Sequence, residues 1–390
     1  MRILIAPDSF KGSTSSLATA QAIERGIKDV FLDGEVRLCP VADGGEGTVD
    51  ALAAGGKGEI RTCVVQDPLG RDIEARWGLM SGGWAVIEMA QASGLPRLAP
   101  EERDPSVTST YGTGQMISAA LDAGCRHILV GIGGSATNDG GAGMACALGA
   151  RLLDADGLPL PPGGGALSRL DVIDCSGLDK RLGEAEILVA SDVTNPLCGP
   201  QGASAVYGPQ KGGTPEMLEM LDAALAHYGQ KLAETFGRDF AGLPGAGAAG
   251  GLGAGLMAFC GGQLRPGTDI IFERLDLERQ VAWADLIYTG EGRVDATSAN
   301  GKLLSGIGRL ACQYGRPVIA LAGSVGPGSD QLLKRGIQAV FPIADGPITL
   351  AESLARAPEL ITAAAARSAR LIRIGGNLCR RVDVIPEYRV

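Results

Sequence analysis

Short apolar runs recur along the chain at residues 2–6, 36–41, 85–90, 127–132, 187–190, 285–288, 318–322 and 339–343. Most are nearly continuous in Val, Ile, Leu and Ala rather than alternating, the pattern of strands buried on both faces of a parallel sheet. Between several of them apolar residues return every three or four positions, which predicts amphipathic helices over 15–31, 114–123, 215–236, 302–314 and 360–374. Ser13 or Thr14 is placed to cap the first of these, and Gly375-Gly376 to end the last. Strand and helix in alternation predict an α/β protein.

The middle of the chain breaks this rhythm. Residues 59–80, "EIRTCVVQDPLGRDIEARWGLM", read as two strands joined by the turn Asp67-Pro68-Leu69-Gly70, an antiparallel hairpin. Spacing stays irregular to about Trp283, after which "DLIYTGEG", "PVIALAGSVG" and "AVFPIADG" restore the strand–helix order. Two strands in front and three behind predict one five-stranded sheet interrupted by a long insertion. At 390 residues, two domains are the natural expectation.

The polar residues gather where the apolar runs end, the edge at which open parallel sheets bind ligands. Asp8, Ser9 and Lys11 follow the first run, and Asp43, Gly44, Gly45 and Glu46 the second. "GIGGSATNDGG" carries Gly133, Gly134, Ser135, Thr137, Asn138 and Asp139; "ASDVTNPLCG" carries Asp192 and Asn195. "TGEGRVDATSANGK" carries Gly290, Glu291, Gly292, Arg293, Asp295, Ser298 and Lys302. A single Asp or Ser at a strand end is usually a helix cap. Five such junctions together suit phosphoryl transfer, which needs positioning and charge neutralisation. In that reading Asp43, Glu46, Asp139, Glu291 and Asp295 are the pool for Mg²⁺. Gly44, Gly45, Gly133, Gly134, Gly290 and Gly292, with Ser298 and Lys302, meet nucleotide phosphates.

Composition narrows the partners. A net charge of −9 with 4% aromatic residues argues against nucleic acid and anionic membranes. The uncharged stretch 241–264 is long enough to span a bilayer, but its nine glycines and one proline predict a loop entering a tightly packed helix. Nine cysteines without a CxxC pair fit a reduced, cytoplasmic setting better than disulfides or zinc. The apolar start is too short for a secretory signal, whose apolar region runs to about 7–15 residues. Of the two histidines, His127 opens a strand and His227 sits on a helix, so histidine catalysis is not expected. Cys198 reads as packing, and Arg367, Arg370 and Arg373 as a solvated helix face.

Other motifs compete. No G-x-x-x-x-G-K-[ST] occurs, but "GIGGSA" at 131–136 matches a dinucleotide fingerprint, with Asp154 placed as its ribose acid. An NAD(P)-dependent oxidoreductase acting on a small hydroxy acid is therefore the alternative to a kinase, and a non-catalytic organic-acid sensor is a third reading.

"IAPDSFKGS", "PVADGGEGT", "GIGGSATNDGGAGM", "SDVTNPLCG", "GPQKG" and "TGEGRVDATSANGK" together resemble the bacterial glycerate kinases of the type 1 family, in order and over essentially the whole chain. The resemblance implies a flavodoxin-like parallel-sheet domain (1–56 and 284–390) interrupted by an inserted restriction-endonuclease-like α/β domain (57–283), with an active-site cleft between them. It implies ATP- and Mg²⁺-dependent phosphorylation of D-glycerate, commonly to 2-phosphoglycerate, with no membrane partner and room for a homo-oligomer. On that footing Asp192 accepts or orients the proton of the attacking hydroxyl. Lys11 balances the transferring charge. Asp8, Ser9, Asn195, Arg293, Ser135, Thr137 and Asn138 are expected to contact substrate.

Overall fold

The computed structural model describes residues 1–56, 58–296, 298 and 302–382. In chain order its strands open with β1 (Arg2–Ile5), β2 (Glu35–Leu38), β3 (Glu59–Gln66), β4 (Asp72–Met80) and β5 (Trp84–Glu88). There follow β6 (His127–Gly131), β7 (Arg151–Leu153), β8 (Val172–Asp174), β9 (Glu186–Ala190) and β10 (Gln263–Arg265). β11 (Leu286–Val294), β12 (Val318–Val325) and β13 (Ala339–Pro342) come last. The chain divides into two compact units, one of residues 1–43, 50–55 and 271–390, the other of 44–49 and 56–270.

The first unit holds the five-stranded sheet that the leading and trailing apolar runs predict, in the order β13-β12-β11-β1-β2. Every pair in it is parallel. Ile3, Ile5, Tyr288 and Leu321 of the strands pack against Ala20, Ile23 and Ile27 of the helix Ser16–Lys28, and against Leu360, Ile361 and Ala364 of the helix Ala357–Val382. Full burial of one such side chain contributes roughly 1.5–3 kcal/mol. The two helices touch backbone to backbone at Gly26, where a Cβ would lie 2.1 Å from the Thr362 carbonyl oxygen.

Three local expectations need correction in this unit. The cap of the first helix is Ser15, whose Oγ accepts the Ala18 amide at 3.2 Å. Thr14 is already held in a turn, its amide and carbonyl both bonded to Phe10, so the helix starts later. The last helix does not stop at Gly375-Gly376 but runs on to Val382. Neither glycine takes the left-handed conformation that would end it. Finally, "TGEGRV" is not a loop: β11 continues to Val294, paired through Arg293 with Ser324 and Val294 with Val325 of β12.

The second unit is built on a six-stranded mixed sheet, β10-β9-β6-β5-β4-β3. β3, β4 and β5 pair antiparallel, so residues 59–80 do form the hairpin that the sequence predicts. β5, β6, β9 and β10 run parallel, which brings their carboxyl ends to one edge. β7 and β8 form a separate two-stranded sheet. The helix Pro215–Phe236 buries Leu221, Leu225, Tyr228 and Leu232, and the glycine-rich stretch is a loop leading into the small helix Leu252–Cys260. No helix among the described residues is long and apolar enough to cross a membrane.

The two glycine sites predict opposite responses. Gly26→Ala should lower the melting temperature, at a cost of about 1–3 kcal/mol, because the helix crossing must open. Gly375→Ala meets nothing within 4 Å and should gain roughly 0.5–1 kcal/mol. Unchanged melting of Gly26→Ala would contradict the close crossing.

Candidate active site

In the first unit the strand ends assemble a charged cluster. The segment after β1 runs beside β11, with the Asp8 amide donating to the Gly290 carbonyl at 2.9 Å. After β2 the chain is tied back by the Val41 amide, which donates to the Pro7 carbonyl at 3.0 Å. Asp8 is buried and accepts the Ser9 amide at 2.6 Å. Burial, and then the negative charge of Asp43, push its carboxyl up to about 6. The Lys11 ammonium reaches Asp43 at 3.3 Å, and that carboxylate holds its pKa above the usual lysine range. Burial pushes Glu291 up to about 7, against the hydrogen bond from the Ser298 hydroxyl, with Asp8 adding to the rise. Arg293 is exposed and pairs with Asp295 at 2.8 Å. Asp8, Asp43, Glu291 and Lys11 thus share one electrostatic neighbourhood in which two carboxyls are held above their ordinary range.

The other group of expected residues lies in the second unit, at the carboxyl edge of β5, β6, β9 and β10. Here the turn Gly44-Gly45 is laid against the loop after β6. A Cβ on Gly131 would stand 2.3 Å from the Gly44 carbonyl oxygen, and one on Gly133 3.3 Å from the Gly45 Cα. Gly44 (φ +93°) also packs on Ala190 and Gly267 at the ends of β9 and β10. Only backbone without side chains can be stacked so closely. Gly133 and Gly134 form the exposed tip of the loop; Glu46 is exposed after the Gly44-Gly45 turn and Asp192 just past the end of β9.

Past that tip the loop turns inward. Thr137, Asn138 and Asp139 are fully buried. The Ala136 carbonyl accepts the Thr108 hydroxyl at 3.0 Å, and Asn138 donates to the Ser204 hydroxyl at 2.9 Å. Among the described residues, the hydroxyl of Thr137 and the side-chain oxygen of Asn138 have no hydrogen-bond partner. The Thr137 carbonyl accepts the Lys211 ammonium at 2.6 Å. Lys211 is itself 1% exposed, and burial depresses its pKa to about 7 despite the field of Asp139. Sequence reasoning quoted "GPQKG" without singling out this lysine. The signal available was a cation set between glycines.

Several expected roles change. Asp139 is not placed as a metal ligand: its carboxylate accepts the Thr110 amide and hydroxyl and the amides of Gly141 and Gly143, at 2.8 to 3.2 Å. It is a buried scaffold for the loop, with its carboxyl raised by burial. Of the other carboxylates expected for Mg²⁺, Asp43, Glu291 and Asp295 belong to the first unit and Glu46 to the second. Among the described residues no three His, Cys, Asp or Glu side chains form a metal cage by themselves. Gly290 and Gly292 do not form a phosphate loop, because both belong to β11. Ser298 is buried against Glu291, while the side chain of Lys302 lies outside the described residues. Asn195 spends its amide within its own loop, donating to the Gln201 carbonyl at 2.8 Å and accepting the Tyr207 hydroxyl at 2.7 Å.

The dinucleotide fingerprint also fails on context. The helix after the Gly131 loop, Ala142–Ala147, leads to β7, which joins β8 in its own sheet rather than pairing beside β6. Asp154, the supposed ribose acid, accepts the amides of Asp156 and Leu158 in a turn. The histidines hold structural positions. His127 stacks on Trp84 and pairs with Glu186, and His227 contacts the Leu170 carbonyl at 2.6 Å. Burial raises the Cys198 thiol, which leaves less of it as the nucleophilic thiolate.

Comparison with known proteins agrees with the geometry. The sequence profile of the glycerate kinase family matches residues 3–373. A glycerate kinase of Bacillus subtilis is 49% identical over 379 residues, 97% of this chain and 99% of that protein. The glycerate 2-kinase of Escherichia coli is 47% identical over 376 residues, 96% of this chain and 99% of that protein. The crystal structure of a candidate glycerate kinase 2 from Salmonella typhimurium LT2 superposes with a TM-score of 0.88 at 49% identity, covering 97% of this chain and 99% of that one.

The buried lysine predicts a pH signature. Its native pKa lies below the unfolded value, so between about pH 7 and 10.5 the unfolded chain binds more protons and stability rises with pH. Parent and Lys211→Met should therefore diverge by roughly 1–3 kcal/mol between pH 7 and 9, the parent gaining on the variant. Parallel melting curves across that window would rule out a depressed lysine.

Proposed function

From the premise that the chain belongs to the glycerate kinase family and is a phosphotransferase, we propose that it transfers the terminal phosphoryl group of ATP to D-glycerate, with 2-phosphoglycerate as product. The observation that carries this reading is the stacking of Gly44-Gly45 on Gly131 and Gly133 at the carboxyl edge of four parallel strands. A glycine tip exposed at such a place, as Gly133 and Gly134 are, suits a phosphate. The fold expectations belong to the same proposal: a flavodoxin-like domain carrying the five-stranded sheet, interrupted by a restriction-endonuclease-like one.

In this mechanism Asp192, exposed at the end of β9, accepts or orients the proton of the attacking glycerate hydroxyl. Alignment matters more than base strength, because the transferring group passes through a loose transition state. Gly44, Gly45, Gly133 and Gly134 cradle the nucleotide phosphates. Lys11, exposed and held cationic by Asp43, neutralises the developing charge. Arg293 and Ser135 contact substrate. Asn195 shapes its loop rather than spending its amide on ligand.

The donor set suits Mg²⁺. Two carboxyls of the Asp8–Asp43–Glu291 group are held above their ordinary range by burial, with a neighbouring carboxylate adding to the rise in each. A hard cation would relieve this, and Mg²⁺ takes one or two carboxylates and completes its shell with waters and phosphate oxygens. Once bound there it would supply charge neutralisation for the phosphates.

The test is release of ADP that requires D-glycerate and Mg²⁺ together, with the product identified by NMR. Turnover without glycerate, or none with it, would reject the assignment. Asp192→Asn should retain the fold and lose kcat by about 10²-fold or more; near-normal turnover removes Asp192 from the mechanism. Lys11→Ala should raise KM for one substrate at least severalfold, and unchanged steady-state constants would leave Lys11 without a role.

A further inference from the structure

Lys211 is a poor choice as a purely structural residue. It ends the short turn Pro209–Lys211, and the next residue packs so tightly that a Cβ on Gly212 would lie 2.3 Å from the Arg103 carbonyl oxygen. Among the described residues its ammonium makes one hydrogen bond, to the Thr137 carbonyl. A carbonyl needs only one neutral donor, which a glutamine could supply without burying a charge. Burying an ammonium with so few partners is costly. The carboxylate whose field reaches it, Asp139, already accepts four hydrogen bonds from Thr110, Gly141 and Gly143. The positive charge is therefore short of compensation inside the protein.

Its position gives the charge a use. The carbonyl that it grips belongs to the loop after β6, whose tip, Gly133-Gly134, is exposed and lies against Gly44-Gly45. Just beyond that carbonyl the loop carries two buried side-chain oxygens, Thr137 Oγ1 and Asn138 Oδ1, that have no hydrogen-bond partner among the described residues. Lys211 thus tethers the loop from its buried side, as the Asp139 carboxylate does through Thr110.

We propose that Lys211 is a positioning residue that fixes the loop of residues 131–141 and lends it positive charge, so that the loop's exposed tip holds the anionic group of a substrate. That group is a nucleotide phosphate or the carboxylate of the hydroxy acid. The proposal rests on the kinase reading above, and it adds a charge contact that never touches the reacting atoms.

The test compares the parent full-length chain with Lys211→Met and Lys211→Gln. Rates are measured with ATP and D-glycerate varied separately, alongside melting curves at pH 7. Both variants should melt at or above the parent temperature, since a buried charge is removed. KM for one substrate should rise tenfold or more, with a smaller fall in kcat. A rise for ATP alone assigns the loop to phosphate, and a rise for glycerate alone assigns it to the carboxylate. Folded variants with both KM values within twofold of the parent would overturn the proposal. So would parent-like kinetics in Lys211→Gln, which keeps a donor for Thr137 but no charge, or a failure of both variants to fold. If the parent turns over no glycerate, the kinase reading falls instead. Melting shifts with inorganic triphosphate then decide, a shift in the parent that is lost in Lys211→Met supporting the loop's role and equal shifts overturning it.

Discussion

The second unit depends on backbone meeting backbone where no side chain could fit. A Cβ on Gly250 would lie 1.9 Å from the Thr137 carbonyl oxygen, and one on Gly255 2.6 Å from the Gly140 carbonyl. Gly253 presses in the same way on Gly245, and Gly247 on Pro196. The stretch that is too rich in glycine to be a membrane helix is therefore a bed on which the loop after β6 is pressed. Because the loop is held from below, its tip can stay bare. Hydrogen bonds complete the arrangement, with the Gly140 amide donating to the Gly250 carbonyl at 2.9 Å. Bare tips in solution are mobile and lose entropy on binding, so a pressed base lowers the cost of ordering them.

Electrostatics is organised locally against the overall charge. A chain of net charge −9 repels anionic substrates at long range. In the proposed mechanism attraction comes from groups set at short range: backbone N–H groups, Lys11 on the surface and Lys211 in the interior. The two lysines are opposites. Lys11 sits among carboxylates that hold its proton firmly, whereas Lys211 is desolvated and holds its proton weakly. One cluster is overfilled with negative charge and the other is short of it.

Much of this architecture is legible in the sequence because it rests on composition over whole strands. Unbroken Val, Ile and Leu runs mark the parallel sheet, and the two-plus-three division of strands gives the interrupted order. The turn at 67–70 gives the hairpin. Single residues were harder to read. Ser15 rather than Thr14 caps its helix because Phe10 bonds across the turn to Thr14, a contact invisible in local preference. Asp139 looks like a ligand in the sequence, and only the approach of Thr110, 29 positions away, shows that its oxygens are spoken for. Gly290 and Gly292 look like loop glycines because nothing local says that β12 extends far enough to pair with them. Lys211 was missed for a related reason: burial of a lysine is set by tertiary packing.

The long strand β11 has a consequence for how this chain can vary. Side chains along a strand alternate between faces, so Glu291 and Arg293 share one side while Gly290 and Gly292 share the other. Deleting or inserting one residue before Glu291 would exchange those sides, turning charged groups into the sheet's packing and glycines outward. Length change is therefore barred from this segment even though Arg293, near its end, is polar and exposed. Lineages of this protein should accept point replacements there far more readily than gaps, and should shift their insertions to exposed turns such as that at 154–158.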